Sequence, residues 1–166
     1  MSYAIVYSSR TGNTEMLAQT LRNALPQEEC VYFGTPDVKA LEAERLYVGF
    51  WTDKGSCDAE TAAFLARMNG KEVFLFGTAG FGGEPAYFEV ILQRVKECLG
   101  SGNTVIGTYM CQGKMPHTVR ERYEKMLSDS AHAARVQAMI ANFDSALSHP
   151  DEQDLRRLGE AAANGR

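Results

Sequence analysis

Hydrophobic positions in this chain fall into short runs without alternation, separated by stretches where they recur every three or four residues. Residues 3–7, 29–33, 45–51, 72–77 and 104–110 make the short runs and read as strands. Val73-Phe74-Leu75-Phe76 has no polar partner positions, the pattern of a strand covered on both faces. The helical spacing falls over 14–25, about 56–68, 86–99, 116–127, 131–147 and 153–163, with 35–43 a polar loop or short helix. Pro26 and Asn69-Gly70 supply stop signals, and Ser56 or Asp58 a start. Strands alternating with helices predict a single α/β domain, a parallel sheet of five strands wrapped on both faces.

Composition narrows the function more than the fold. The chain has 166 residues, 45% of them hydrophobic and 23% charged, and a net charge of −4. That balance gives no electrostatic case for nucleic acid or an anionic membrane. No apolar run approaches the roughly 20 residues of a membrane span, and the N-terminus enters a strand directly, so a cytoplasmic protein is expected. Cys30, Cys57, Cys98 and Cys111 form no C-x-x-C pair. Cys30, Cys98 and Cys111 read as buried reduced thiols, and Cys57 as an uninvolved loop thiol. His117, His132 and His149 are scattered and read as solvated; no metal site is expected.

The stretch Ser8-Ser9-Arg10-Thr11-Gly12-Asn13-Thr14 follows the first strand and opens the first helix. Its hydroxyls, its amide and the peptide N–H groups of a helix N-terminus suit a phosphate group, while Gly12 permits a left-handed turn. A plain helix cap uses the same residue types. The loop lacks the lysine of the nucleoside-triphosphate pattern and the three spaced glycines of the dinucleotide pattern. Three more loops leave carboxyl ends of strands, where ligands of such sheets sit. Trp51-Thr52-Asp53-Lys54-Gly55 offers a flat ring and a flexible peptide. Thr78-Ala79-Gly80-Phe81-Gly82-Gly83 offers close backbone approach. Cys111-Gln112-Gly113-Lys114 is the fourth.

Ser9 to Thr14 matches the S/T-x-T-G-x-T phosphate loop of the flavodoxins, and the chain resembles that family over residues 1 to about 130. The segments 49–55, 76–80 and 111–114 are similar to a flavodoxin-like subfamily of anaerobic bacteria. The resemblance implies a doubly wound sheet of order 2-1-3-4-5 and FMN as cofactor. Ser9, Arg10, Thr11, Gly12, Asn13 and Thr14 would hold its phosphate. Trp51, Thr52, Asp53, Lys54 and Gly55 would line one side of the ring; Thr78, Ala79, Gly80, Phe81, Gly82 and Gly83 would line the other. Many flavodoxins place a tyrosine in that later loop; here the position offers Phe81, or Tyr87 if the third helix starts late. Residues 131–166 are expected to form a helical extension packed on or beside the FMN domain.

The implied function is electron transfer between a reductase and an acceptor enzyme, through brief, salt-sensitive docking at the exposed flavin edge. An FMN-dependent NAD(P)H reductase of quinones or other small molecules is the competing reading. The lack of a distinct substrate loop favours the carrier; the extra C-terminal helices keep the enzyme open. A flavodoxin-like module that has lost FMN is the third, and the intact first loop argues against it.

Overall fold

The computed structural model describes residues 1–82 and 84–165. Its strands are β1 (Tyr3–Tyr7), β2 (Cys30–Gly34), β3 (Arg45–Asp53), β4 (Ser56–Cys57), β5 (Glu72–Ala79) and β6 (Thr104–Gln112). Its helices are α1 (Asn13–Ala24), α2 (Ala59–Ala66), α3 (Pro85–Lys96), α4 (His117–Met126), α5 (Ala133–Ala146) and α6 (Glu152–Asn164). The five long strands are all parallel and stand in the order β2-β1-β3-β5-β6. Counted without the two-residue β4, this is the expected 2-1-3-4-5. β4 folds back antiparallel on the end of β3, a hairpin the hydrophobic pattern does not announce.

The unbroken apolar runs are explained by two cores. Side chains alternate across a strand. Ala4, Val6, Leu46, Val48, Phe50, Val73 and Leu75 face one way and pack with Phe64, Leu65 and Met68 around α2 and with Ile91, Leu92 and Val95 of α3. Tyr3, Ile5, Tyr47, Phe74 and Phe76 face the other way, against Leu17, Ala18 and Leu21 of α1 and Leu158 and Ala162 of α6. Between β3 and β5 the register is fixed by interlocked sizes. Gly49 lies opposite Phe76, and Phe50 opposite Gly77. A Cβ on either glycine would run into the ring beside it. The same register puts Trp51 beside Thr78 at the carboxyl end of the sheet.

The C-terminal third folds in two parts. α4 and α5 pair with each other around a small core of Tyr123, Val136 and Phe143. Arg120 bridges them, with Nε donating to Asp144 at 2.9 Å. α6 leaves that pair and joins the main core against α1 and β6. Its start is built by a capping box: Asp151 accepts from the Asp154 N–H at 2.9 Å, and Asp154 accepts from the Asp151 N–H at 2.8 Å. His149, read from the sequence as solvated, is half-buried, with Nδ1 2.6 Å from Asp154 Oδ2. The thiols also differ from expectation. Cys57 and Cys111 are the buried pair, while Cys30 and Cys98 are partly exposed. The β3–β4 hairpin lies on α3, and this packing is what covers Cys57. Among the described residues, no helix is long and apolar enough to cross a membrane.

Candidate functional site

Four loops close around a cavity of about 420 Å³ at the carboxyl ends of β1, β3, β5 and β6. Arg10, Thr11 and Asn13 line it from the first loop; Trp51, Thr52, Asp53, Lys54 and Gly55 from the second; Thr78, Ala79, Gly80 and Phe81 from the third. Gly113 and Lys114 line it from the fourth. Ser9, Gly12, Thr14 and Gly82 are not among the lining residues. Gly83 lies outside the described residues.

The first loop folds on itself at the start of α1. Gly12 has φ +94° and is the N-cap of α1, so the cap position itself brings no side chain. The N–H groups of Gly12 and Glu15 both donate to Ser9 Oγ, at 3.1 and 3.3 Å. Two residues of the loop look inward. The Thr14 hydroxyl donates to Phe50 O at 3.1 Å and hydrogen-bonds the Thr78 hydroxyl at 3.2 Å. Asn13 Nδ2 donates to Lys114 O at 2.8 Å, tying α1 to the turn after β6. What Thr14 offers a phosphate is therefore its backbone N–H. Ser8 is likewise turned to Glu60, 3.4 Å away.

The second loop is a tight hairpin. Lys54 has φ +52° and Gly55 φ +81°, and Asp53 pairs with Ser56. Two consecutive left-handed residues make the two-residue turn that matches strand twist. Arg94 of α3 holds it from outside, with Nη1 donating to Gly55 O at 3.1 Å. Arg10 lies over the Trp51 ring, 5.5 Å from its centroid, bridging the first two loops. Phe81 of the third loop and Tyr87 of the first turn of α3 both line the cavity and are exposed, although α3 starts early, at Pro85.

Met115, Pro116, Val119 and Arg122 add a wall that the sequence reading missed. Met115 and Val119 stand four residues apart where α4 begins directly after β6, a weak signal that looks like ordinary core spacing. With Arg10, Lys54 and Lys114, Arg122 brings the lining cations to four, against the single carboxylate of Asp53. His149, Asp151 and Asp154 gather their ligand atoms within 4.8 Å elsewhere, but the start of α6 already employs them.

Among the described residues, two buried polar atoms of residues that line the cavity have no partner, Asn13 Oδ1 and Thr52 Oγ1. A buried acceptor left alone costs about 1–3 kcal/mol, so this lining is complementary to something carrying hydrogen-bond donors.

The flavodoxin-domain family model matches residues 4–163, past the point near 130 where the likeness read from the sequence stops. A flavodoxin-like domain-containing protein, BilS, of Clostridium symbiosum is 42% identical over 93% of this chain and 90% of its own length. The BilS protein of Clostridioides difficile is 28% identical over 99% and 96%. Among solved structures, a short-chain flavodoxin associated with a non-canonical PDU bacterial microcompartment matches with a TM-score of 0.62 at 19% identity, covering 99% of this chain and 95% of that one. Oxidised flavodoxin 2 of Bacillus cereus matches with a TM-score of 0.60 at 16% identity, covering 99% and 97%. FMN is the cofactor of this fold family, and the lining fits it. The start of α1, whose cap residue is a glycine, would face a phosphate, Asn13 Oδ1 would take a hydroxyl or ring N–H, and Trp51 and Tyr87 would offer faces for a flat ring.

Proposed function

The chain belongs to the flavodoxin family, and from that premise we propose that it is an FMN-carrying electron-transfer protein that shuttles electrons between a reductase and an acceptor enzyme. One observation carries the reading. The cavity runs from an anion nest at the start of α1 to an exposed pair of aromatics, Phe81 and Tyr87, at its mouth. A ligand held at its phosphate end there keeps one ring edge near the surface, where another protein can reach it.

FMN supplies the one- and two-electron chemistry when bound; the residues of this chain bind it, orient it and set its surroundings. Asn13 and Thr14 would present their N–H groups at the positive end of α1, and those of Gly12 and Glu15 would join them on leaving Ser9 Oγ. Thr11 and Arg10 stand at the rim beside them. Phe50, Phe76 and Gly77, which precede the lining positions Trp51 and Thr78 along β3 and β5, are buried. Lys54, Lys114 and Arg122 favour added negative charge in the cavity, offsetting the cost of charge in a partly dry site.

The test is the spectrum of the purified protein, followed by stepwise reduction. A yellow protein that passes electrons to an acceptor only when a separate reductase is supplied supports the carrier. A colourless protein that refuses micromolar FMN ends the reading.

A second reading is favoured by the α4 wall. Met115, Val119 and Arg122 line the cavity from the α4 side, a wall that a bare carrier does not require. That is the pocket an FMN-dependent NAD(P)H reductase of quinones or other small molecules needs. Mixing the yellow protein with NADH or NADPH decides between them, since rapid bleaching without a reductase selects the enzyme.

A further inference from the structure

Two side-chain hydrogen bonds converge on the third loop from outside it, and a third joins their donors. Gln112 Nε2, at the end of β6, donates to Gly80 O at 3.1 Å. Asn142 Nδ2, from α5, donates to the same oxygen at 3.0 Å. Gln112 Nε2 also donates to Asn142 Oδ1 at 3.1 Å. The triangle uses both lone pairs of the Gly80 carbonyl, and each amide fixes which way round the other sits. Gln112 is buried, and Asn142 is half-buried beside Phe143 in the α4–α5 core.

We propose that Gln112 and Asn142 are positioning residues that hold the Gly80 carbonyl outward, so that the Phe81 N–H is presented to the cavity as a donor for the cofactor ring. A trans peptide is planar, with its C=O and N–H pointing opposite ways. Fixing the carbonyl toward β6 and α5 turns the next N–H to the other side. Gly80 and Phe81 both line the cavity, and the Phe81 N–H has no acceptor among the described residues.

The loop has little else to fix it. It is rich in glycine, and glycine peptides rotate at small cost. The neighbouring Gly113 N–H to Ala79 O bond, 3.0 Å, anchors only the residue before. Met115 seals the other side of Gly80, its sulfur 2.5 Å from where a Cβ would stand. Clamp and seal both come from beyond β5, and Asn142 and Met115 belong to the segment that carries the α4–α5 pair. The α4–α5 pair thus has a role at the site: it decides one peptide orientation in the third loop.

The inference rests on the FMN reading, and its test separates the two. Asn142→Asp keeps the shape and the acceptor for Gln112 but replaces the donor to Gly80 O with a repelling carboxylate. In the FMN-loaded variant the dissociation constant rises about tenfold, the worth of one hydrogen bond in a desolvated site. The potentials shift and the Phe81 amide proton moves upfield in 15N–1H spectra. The Phe81 signal also changes in the apoprotein, so the clamp is tested even if the wild type binds no FMN. Gln112→Met, similar in volume and apolar, removes the other donor and shifts the same readouts in the same direction if Asn142→Asp fails to fold. A lower melting temperature with unchanged Phe81 amide, FMN affinity and potentials in either folded variant overturns the proposal.

Discussion

Arg94 of α3 and Gly55 of the β3–β4 turn are joined by a single hydrogen bond, Nη1 to the glycine carbonyl at 3.1 Å. The bond fastens the hairpin carrying Trp51 to the helix behind it. A Cβ on Gly55 would meet that same guanidinium, and φ there is +81°. Gly55→Ala therefore strains the turn and displaces Arg94 together. Urea unfolding should show a loss of about 1–2 kcal/mol. If the Gly55 peptide turns toward the ring on reduction, Arg94→Met removes a bond that opposes the turn and raises the first one-electron potential by roughly 40 mV, one hydrogen bond's worth. An unchanged potential in Arg94→Met removes the turning peptide from the mechanism.

The sheet was legible because burial on both faces leaves a mark in sequence: five apolar runs, each closed by a glycine, a proline or a polar cluster. Its order was legible only through the family likeness. Trp51, Lys54 and Thr78 were legible as site residues because they follow runs that could only be strands. The β3–β4 hairpin was not, since Lys54-Gly55 is a weaker turn signal than Asn-Gly and β4 has only two residues. Nor was the α4 wall, because Met115 and Val119 have the spacing of any helix face. His149 was misread for a similar reason. Its partner Asp154 is five residues away, and only the turn of the chain before α6 brings them together.

Asn13 makes one of the cross-links that shape the phosphate end. Its Nδ2 donates to Lys114 O at 2.8 Å, and Gly113 packs so closely that a Cβ there would lie 2.5 Å from Nδ2. Asn13→Asp keeps the shape but sets a carboxylate against that carbonyl and beside the anion nest. FMN affinity, read by quenching of its fluorescence, should fall at least tenfold at low salt and recover in part as salt screens the added charge. Wild-type affinity at every salt concentration would mean that the phosphate sits away from α1.

Burial sets an alkaline limit on stability. The Cys57 thiol is pushed up to about 12, chiefly by burial and then by the neighbouring Cys98; burial raises Cys111 as well. The folded state therefore holds these protons more tightly than the unfolded chain. The stability this gives is complete below the ordinary thiol value near 9 and is lost as pH rises from there toward about 12. At the acid end the sign reverses. Asp151 is held below the usual carboxylate range by the Asp154 N–H, so its contribution is present above about pH 4 and lost below it. Melting temperature against pH should fall at both ends. At pH 8 iodoacetamide should label Cys30 and Cys98 before Cys57 and Cys111, and equal rates for all four would contradict the buried placement of the latter two.

The charge around the cavity opposes the charge of the whole chain. Arg10, Lys54, Lys114 and Arg122 face one carboxylate, Asp53, while the chain carries −4. A bound phosphate brings about two negative charges, which leaves the mouth near or above neutral and the loaded protein at roughly −6. Encounter rates follow the local field more than the total within a Debye length of about 10 Å. Reduced, FMN-loaded protein should therefore be oxidised by ferricyanide, an anion, at a rate that falls as salt is raised. Oxidation by hexaammineruthenium(III), a cation, should accelerate. A protein steered by its total charge gives both slopes the opposite sign, and stopped-flow measurement with the two oxidants over the same salt series distinguishes them. Lys54→Glu should flatten the ferricyanide slope, because that side chain stands on the hairpin at the mouth.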